Sequence, residues 1–380
     1  MNFSIIHLAG NHLSTSPLFT MKNIRAQDIR FSRIISSVFY NTNYLNLYRA
    51  KFEKSLATPI YFNKLYTSGS ISSRLFTNDA KITLEDCYFN EIYASGNVGS
   101  ALYISGADFT NVTQCSFTKC MNNKKCGAFY INSTEFELTY ACFYKCRSTI
   151  ECSIGIVLSE IIVWVNSVAY KCVQESEVVD STLKLISQSN TLTRMNSTLC
   201  DSDINSGVLS VGSVRMEYAS FFNNTGRSLA AFHNATKNIV LMFVFAFYNK
   251  GNLVALFDIN GAIRMRLLQL VVQQNEGKVF KIQGISKEID LADSFIDVPL
   301  EPGISTSFEE YFNVTTGTPS IPIQEYAVCI PIDTDSESAR SPQIKKYITA
   351  AYIFSAVVVF ICVIIIVISE IRQLKLKKMN

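Results

Sequence analysis

Cysteine is the residue type in this chain whose spacing most invites a chemical reading. Cys120, Cys146 and Cys172 stand 26 residues apart, as do Cys126 and Cys152, while Cys87, Cys115 and Cys142 follow one another at 28 and 27. Such thiols could ligate a metal, but the successive gaps of 5, 6, 16, 4 and 6 from Cys115 to Cys152 hold no C-x-x-C pair and no nearby histidine, unlike structural zinc sites. No metal or other cofactor is therefore expected. Acid–base work or Ca²⁺ binding on a carbohydrate would need clustered carboxylates with a basic partner. The close acid pairs, Glu85 with Asp86, Asp201 with Asp203 and Asp290 with Asp293, are scattered, and histidine occurs at positions 7, 12 and 233. No acid recurs at a fixed interval, so the chain is not expected to be an enzyme. Asp201 and Asp203 come nearest to a catalytic pair, with a solvated turn as their alternative role.

The elements that carry these residues share the same rhythm. Segments beginning at Ile82 (ITLEDCYFN), Phe109 (FTNVTQCSF), Phe136, Ile161, Thr191, Val214, Ile239 and Ile263 are spaced by 27, 27, 25, 30, 23, 25 and 24 residues. This is an internal repeat of about 25 residues. Each repeat holds two or three strand-sized runs and no 3.6-residue period, and 12% aromatic content with 26 Phe and 18 Tyr also favours strands. An all-β parallel β-helix follows, each repeat forming one coil and coils stacking about 4.8 Å apart. Equivalent residues then lie above one another. Disulfides between adjacent coils are feasible at that spacing, and reduced cysteines packed as small hydrophobes fit the same positions.

Aromatic-Asn pairs recur at Tyr40-Asn41, Phe89-Asn90, Phe222-Asn223 and Tyr248-Asn249. Asparagine tolerates the left-handed backbone that a sharp corner needs, and stacked Asn side chains can bond along a solenoid. With these features the chain resembles the right-handed parallel β-helix, or pectate-lyase-like, architecture. More closely, its FFNN-like segments, cysteines, Pro-rich stretch and C-terminal span look like the β-helical surface proteins of anaerobic parasitic protists, similar in turn to polymorphic outer-membrane proteins. The Gly-His-Gly and paired-Asp patterns of pectin-hydrolysing relatives are missing.

Residues 348–368 form 21 uncharged positions rich in Val and Ile, the length a helix needs to span a bilayer. The expected organisation is an N-terminal cap with weak first coils over 1–75, the parallel β-helix over 76–298, a Pro-rich stalk over 299–346, a transmembrane helix over 347–369 and a basic tail over 370–380. Proline cannot donate to a ladder, so the solenoid is expected to stop near Val298. Arg372, Lys375, Lys377 and Lys378 lean the tail toward the cytoplasm. Met1 to Gly10 makes at best a weak secretory signal. A missing N-terminus or a tail-anchored cytosolic domain are the other readings of that start.

Glycan sequons at Asn2, Asn111, Asn132, Asn196, Asn223, Asn234 and Asn313, and ten cysteines ahead of the span, favour the outside. Lys377 and Lys378 also match a di-lysine retrieval signal, which would keep the protein in the endoplasmic reticulum membrane. A net charge of +3, with four cations in the last nine residues, leaves no basic face for nucleic acid. The expected function is a non-enzymatic, single-pass surface glycoprotein, anchored in the lipid bilayer, whose solenoid face binds a host-cell, glycan or protein ligand. The alternatives are a membrane-tethered carbohydrate lyase or hydrolase and a retained secretory-pathway resident.

Overall fold

A computed structural model describes residues 2–4, 7–12, 17, 19, 23–63, 80–95, 98–174, 181–234, 238–251, 255–261, 264–283, 288–297 and 310–315. These residues form a parallel β-solenoid with no helix. The apolar run 348–368, most of the stalk and the tail with Lys377 and Lys378 lie outside them. Among the described residues no helix is long and apolar enough to cross a membrane.

Each coil lays down three faces. In one coil the second half of Leu102–Thr113 lies on the first face, Ser116–Thr118 on the second and the first half of Phe129–Thr139 on the third, with the short pair Met121–Asn122 between the last two. Strict alternation buries one side of each strand. On the first face Ile82, Thr110, Phe136, Ile162, Asn190, Val214, Ile239 and Met265 form one inward column. On the second, Phe31, Phe52, Phe89, Phe117 and Phe143 stack with centroids 5.0 to 5.5 Å apart and rings within 13° of parallel. On the third, Gly155 has no side chain because the Phe129 ring fills its place, 2.4 Å from where a Cβ would sit.

The faces meet at sharp corners made by one residue in the left-handed region. Asp28, Arg49, Asp86, Gln114, Tyr140, Asn166, Arg194, Tyr218, Phe243, Gln269, Asp293 and Asn313 hold one corner, with φ of 48 to 55°. Asparagine was the sequence expectation, yet most of these residues are not Asn. The lattice imposes the conformation: the corner N–H of Asp86, Gln114 and Tyr140 donates to Thr113, Thr139 and Val165 carbonyls of the next coil at 2.8 to 3.0 Å. Strain of about 1 kcal/mol per left-handed non-Gly residue is offset by that continuous ladder.

Regular coils also run through the N-terminal region, where Asn23–Gln27 pairs with Tyr44–Tyr48, and parallel pairing resumes beyond Val298, where Glu310–Phe312 pairs with Glu288–Ala292. The cysteine series Cys87, Cys115, Cys142 departs from the expected stack. Ala141, not Cys142, follows Cys115 into the core, because Ser116 and Cys142 are the aligned pair. Cys142 therefore points outward. It is disulfide-bonded, whereas Cys87, Cys115, Cys120, Cys126, Cys146, Cys152, Cys172 and Cys200 are free and buried.

Candidate functional site: a basic corner groove

The second corner, between the second face and the short strand, carries Lys54, Glu91, Lys119, Lys145, Lys171, Leu199, Asn223, Tyr248 and Gln274 in left-handed conformations. The residue after each corner points inward and fixes the register. At Cys120, Cys146, Cys172 and Cys200 the thiol donates to the Phe89, Phe117, Phe143 and Ala169 carbonyls of the preceding coil at 3.3 to 3.7 Å. Asn224, Asn249 and Asn275 take over the same position and bond the Ser197, Phe221 and Ala246 carbonyls through Nδ2 at 2.8 to 2.9 Å. Burial pushes the Cys146, Cys172 and Cys200 thiols well above their ordinary pKa. As neutral thiols they serve the ladder as hydrogen-bond donors.

This ladder stacks three lysines on the surface. Lys119, Lys145 and Lys171 donate their backbone N–H to Tyr144, Tyr170 and Thr198 carbonyls, so each stands one coil, about 4.8 Å, from the next. Lys119 Nζ is 3.0 Å from Glu91 Oε1. Lys145 and Lys171 lie over the Tyr144 and Tyr170 rings at 5.0 and 5.1 Å and meet no carboxylate among the described residues. With Arg147, Tyr93, Val173, Leu199 and the edge of Cys146 they line a groove of about 640 Å³, a volume within the usual range for ligand pockets. Lysines carried on adjacent coils place like charges along one groove, where they repel. An anion between them would relieve that repulsion, with the tyrosine, valine and leucine offering apolar contact.

The residues singled out by sequence are dispersed. Asp86 and Asp293 are corner residues; Asp290 is buried against Arg264 and Arg266 at 3.6 and 3.3 Å. Asp201 and Asp203 lie exposed on one turn, where packing and then the Asp203 charge push the Asp201 pKa up. His233 Nε2 is 3.9 Å from Asp258 Oδ2. Among the described residues no three His, Cys, Asp or Glu could hold a metal. Cys126 and Cys152 form a satellite cluster with Ile156. Of the sequons, Asn223, Asn234 and Asn313 are exposed, Asn111 and Asn132 half-buried, and Asn196 is buried with its Oδ1 accepting from Ser220 Oγ at 2.6 Å. That burial leaves no room for a glycan at Asn196.

Elsewhere on the surface, Glu151 accepts from Lys125 and Lys184 at 2.7 and 3.2 Å. Burial alone would raise its pKa; the two ammonium groups overcome this and hold it below the usual value. A depressed carboxylate stabilises the fold above its unfolded pKa and loses that contribution as pH falls through the folded one. Denaturation at pH 6 and at pH 3 is expected to show an acid-labile part of the wild type's stability that Glu151→Gln lacks, small because the lysines are partly exposed.

The lysine ladder was not singled out in the sequence, although its signal is present: each lysine directly precedes a cysteine of the 26-residue series. The chain matches no protein-family model, no curated protein and no solved structure.

Proposed function

We propose that this chain is a non-enzymatic, single-pass membrane protein whose right-handed parallel β-helix stands outside the cell and binds an acidic glycan at the second-corner groove. The observation that carries the reading is the stack of Lys119, Lys145 and Lys171 at 26-residue intervals, two of them without an acidic partner among the described residues. The uncharged run 348–368 supports the anchor, and the resemblance to β-helical protist surface proteins supports display on the cell surface. Each ammonium–anion contact is worth about 1.5–3 kcal/mol.

The full chain in nanodiscs, presented with arrayed sulfated, sialylated and neutral glycans, is therefore expected to prefer an acidic class. Lys145→Gln with Lys171→Gln should weaken that binding at least about tenfold. Equal retention of neutral glycans, or a double variant that binds as the wild type does, would refute the site. Cleavage of the bound polysaccharide would instead favour the hydrolase alternative.

A further inference from the structure

The second corner changes chemistry along its length. Lys119, Lys145, Lys171, Leu199, Asn223 and Tyr248 occupy it on successive coils. The backbone fixes that order: Lys171 N–H donates to the Thr198 carbonyl, Leu199 N–H to Phe222 and Asn223 N–H to Phe247, at 3.0 to 3.1 Å. Charge therefore ends at Lys171, and the next three corner residues carry none.

Asn223 opens the sequon Asn223-Asn224-Thr225. Within that triplet the two asparagines face opposite ways. Asn224 is buried, its Nδ2 donating to the Ser197 carbonyl at 2.9 Å and its Oδ1 accepting from the Cys200 N–H at 2.8 Å. Asn223 sits at the corner with φ of 51° and is exposed, so the same bonds that hold its neighbour inside present its carboxamide to solvent. Asn196 is the contrast, a sequon asparagine whose Oδ1 is used inside the protein. One coil beyond Asn223, the Tyr248 side chain is 50% exposed. A tyrosine offers an apolar body with a polar tip, a surface that suits the apolar face of N-acetylglucosamine.

We propose that Asn223 carries an N-linked glycan, whose first sugars stand against Tyr248 and over Leu199 and close that end of the lysine groove. In the transfer, a bond forms between Asn223 Nδ2 and the anomeric carbon of an oligosaccharide carried on a lipid pyrophosphate. The bond from that carbon to the pyrophosphate oxygen breaks, the lipid pyrophosphate leaves as an anion, and Nδ2 releases one proton. The reach fits: Lys171 and Asn223 are two coil steps apart, about 9.6 Å, a span that the first two sugars of the glycan cover. At the opposite end Glu91 pairs with Lys119 at 3.0 Å and sets a carboxylate against any anion that runs further. A groove bounded in this way takes a short acidic oligosaccharide over Lys145 and Lys171 and resists a long chain that must continue past Leu199. The size limit rests on the acidic-glycan reading of the groove, whereas the modification rests only on the outside placement of the solenoid.

The test uses full-length protein from expressing cells. Its Asn223 peptide, weighed before and after enzymatic removal of N-glycans, is expected to carry a glycan. In nanodiscs, Asn223→Gln and Thr225→Ala should each leave binding of a sulfated tetrasaccharide unchanged and strengthen binding of a long sulfated chain at least about threefold. Gln274 holds the same corner at φ of 52°, so Asn223→Gln keeps the backbone, and Thr225→Ala removes the sequon without touching the corner. An unmodified Asn223 peptide, or long-chain binding equal in the wild type and both variants, would overturn the proposal. Tetrasaccharide binding that survives Lys145→Gln with Lys171→Gln would mark failure of the groove and remove the size limit, while the peptide mass still decides the modification.

Discussion

Trp164→Ala is expected to cost about 3–5 kcal/mol, the usual range for emptying a fully buried large aromatic site. The phenylalanine stack on the second face stops at Phe143, where Ala169 takes the next position. Trp164, between Leu138 and Leu192 in a second inward column of the first face, fills the gap from the side, 5.9 Å from Phe143 and also against Phe129 and Phe136. Its indole N–H is used as well, donating to the buried Ser167 hydroxyl. Neighbouring columns thus compensate for one another in volume. Trp164→Leu should be destabilising alone and be partly rescued by Ala169→Phe, a coupling that a urea-denaturation double-mutant cycle reads directly.

Asn249→Ala is expected to cost about 2–4 kcal/mol although it removes few atoms. The side chain is wholly buried; its Oδ1 accepts from the Asn224 N–H and its Nδ2 donates to the Phe221 carbonyl, both at 2.9 Å. Removal leaves two buried backbone groups without those partners, each worth about 1–3 kcal/mol. The equivalent Cys146→Ala deletes a weak thiol bond and should cost less, about 1–2 kcal/mol. Chemical denaturation of the two variants ranks them; equal losses would show that the amide ladder contributes no more than the thiol ladder.

The solenoid was legible because alternation and a 25-residue period survive loop variation. Register was less so. The segments beginning at Ile82, Phe136, Val214 and Ile239 coincide with the inward column, but those at Phe109, Ile161 and Thr191 are displaced by one residue, since the true inward positions are Thr110, Ile162 and Asn190. An eye that seeks apolar starts misses a buried Thr or Asn. Asn190 is tolerated inside because its Nδ2 donates to Ser210 Oγ at 2.9 Å, and Phe109 sits outside because Lys81 caps its ring at 4.9 Å. The same one-residue slip hid the outward turn of Cys142.

The inter-residue signal for the groove was present but masked by its neighbour. Cysteine periodicity reports the inner wall of the corner, whereas ligand chemistry lies one residue earlier, on a residue type common enough to pass as ordinary surface. Asn249 shows the converse. In the sequence it reads as the corner residue of a Tyr-Asn pair, but Tyr248 takes the left-handed conformation and Asn249 turns inward to bond the ladder.

Binding of a labelled sulfated glycan to intact, unpermeabilised cells tests the central claim most directly, with an antibody to the solenoid as the control for display. The antibody should stain cells expressing either wild type or Lys145→Gln/Lys171→Gln, and the glycan should bind the wild type at least about tenfold more strongly, with binding that weakens as salt rises. Antibody staining that requires permeabilisation, or glycan binding that is equal on the two cell types, would contradict it.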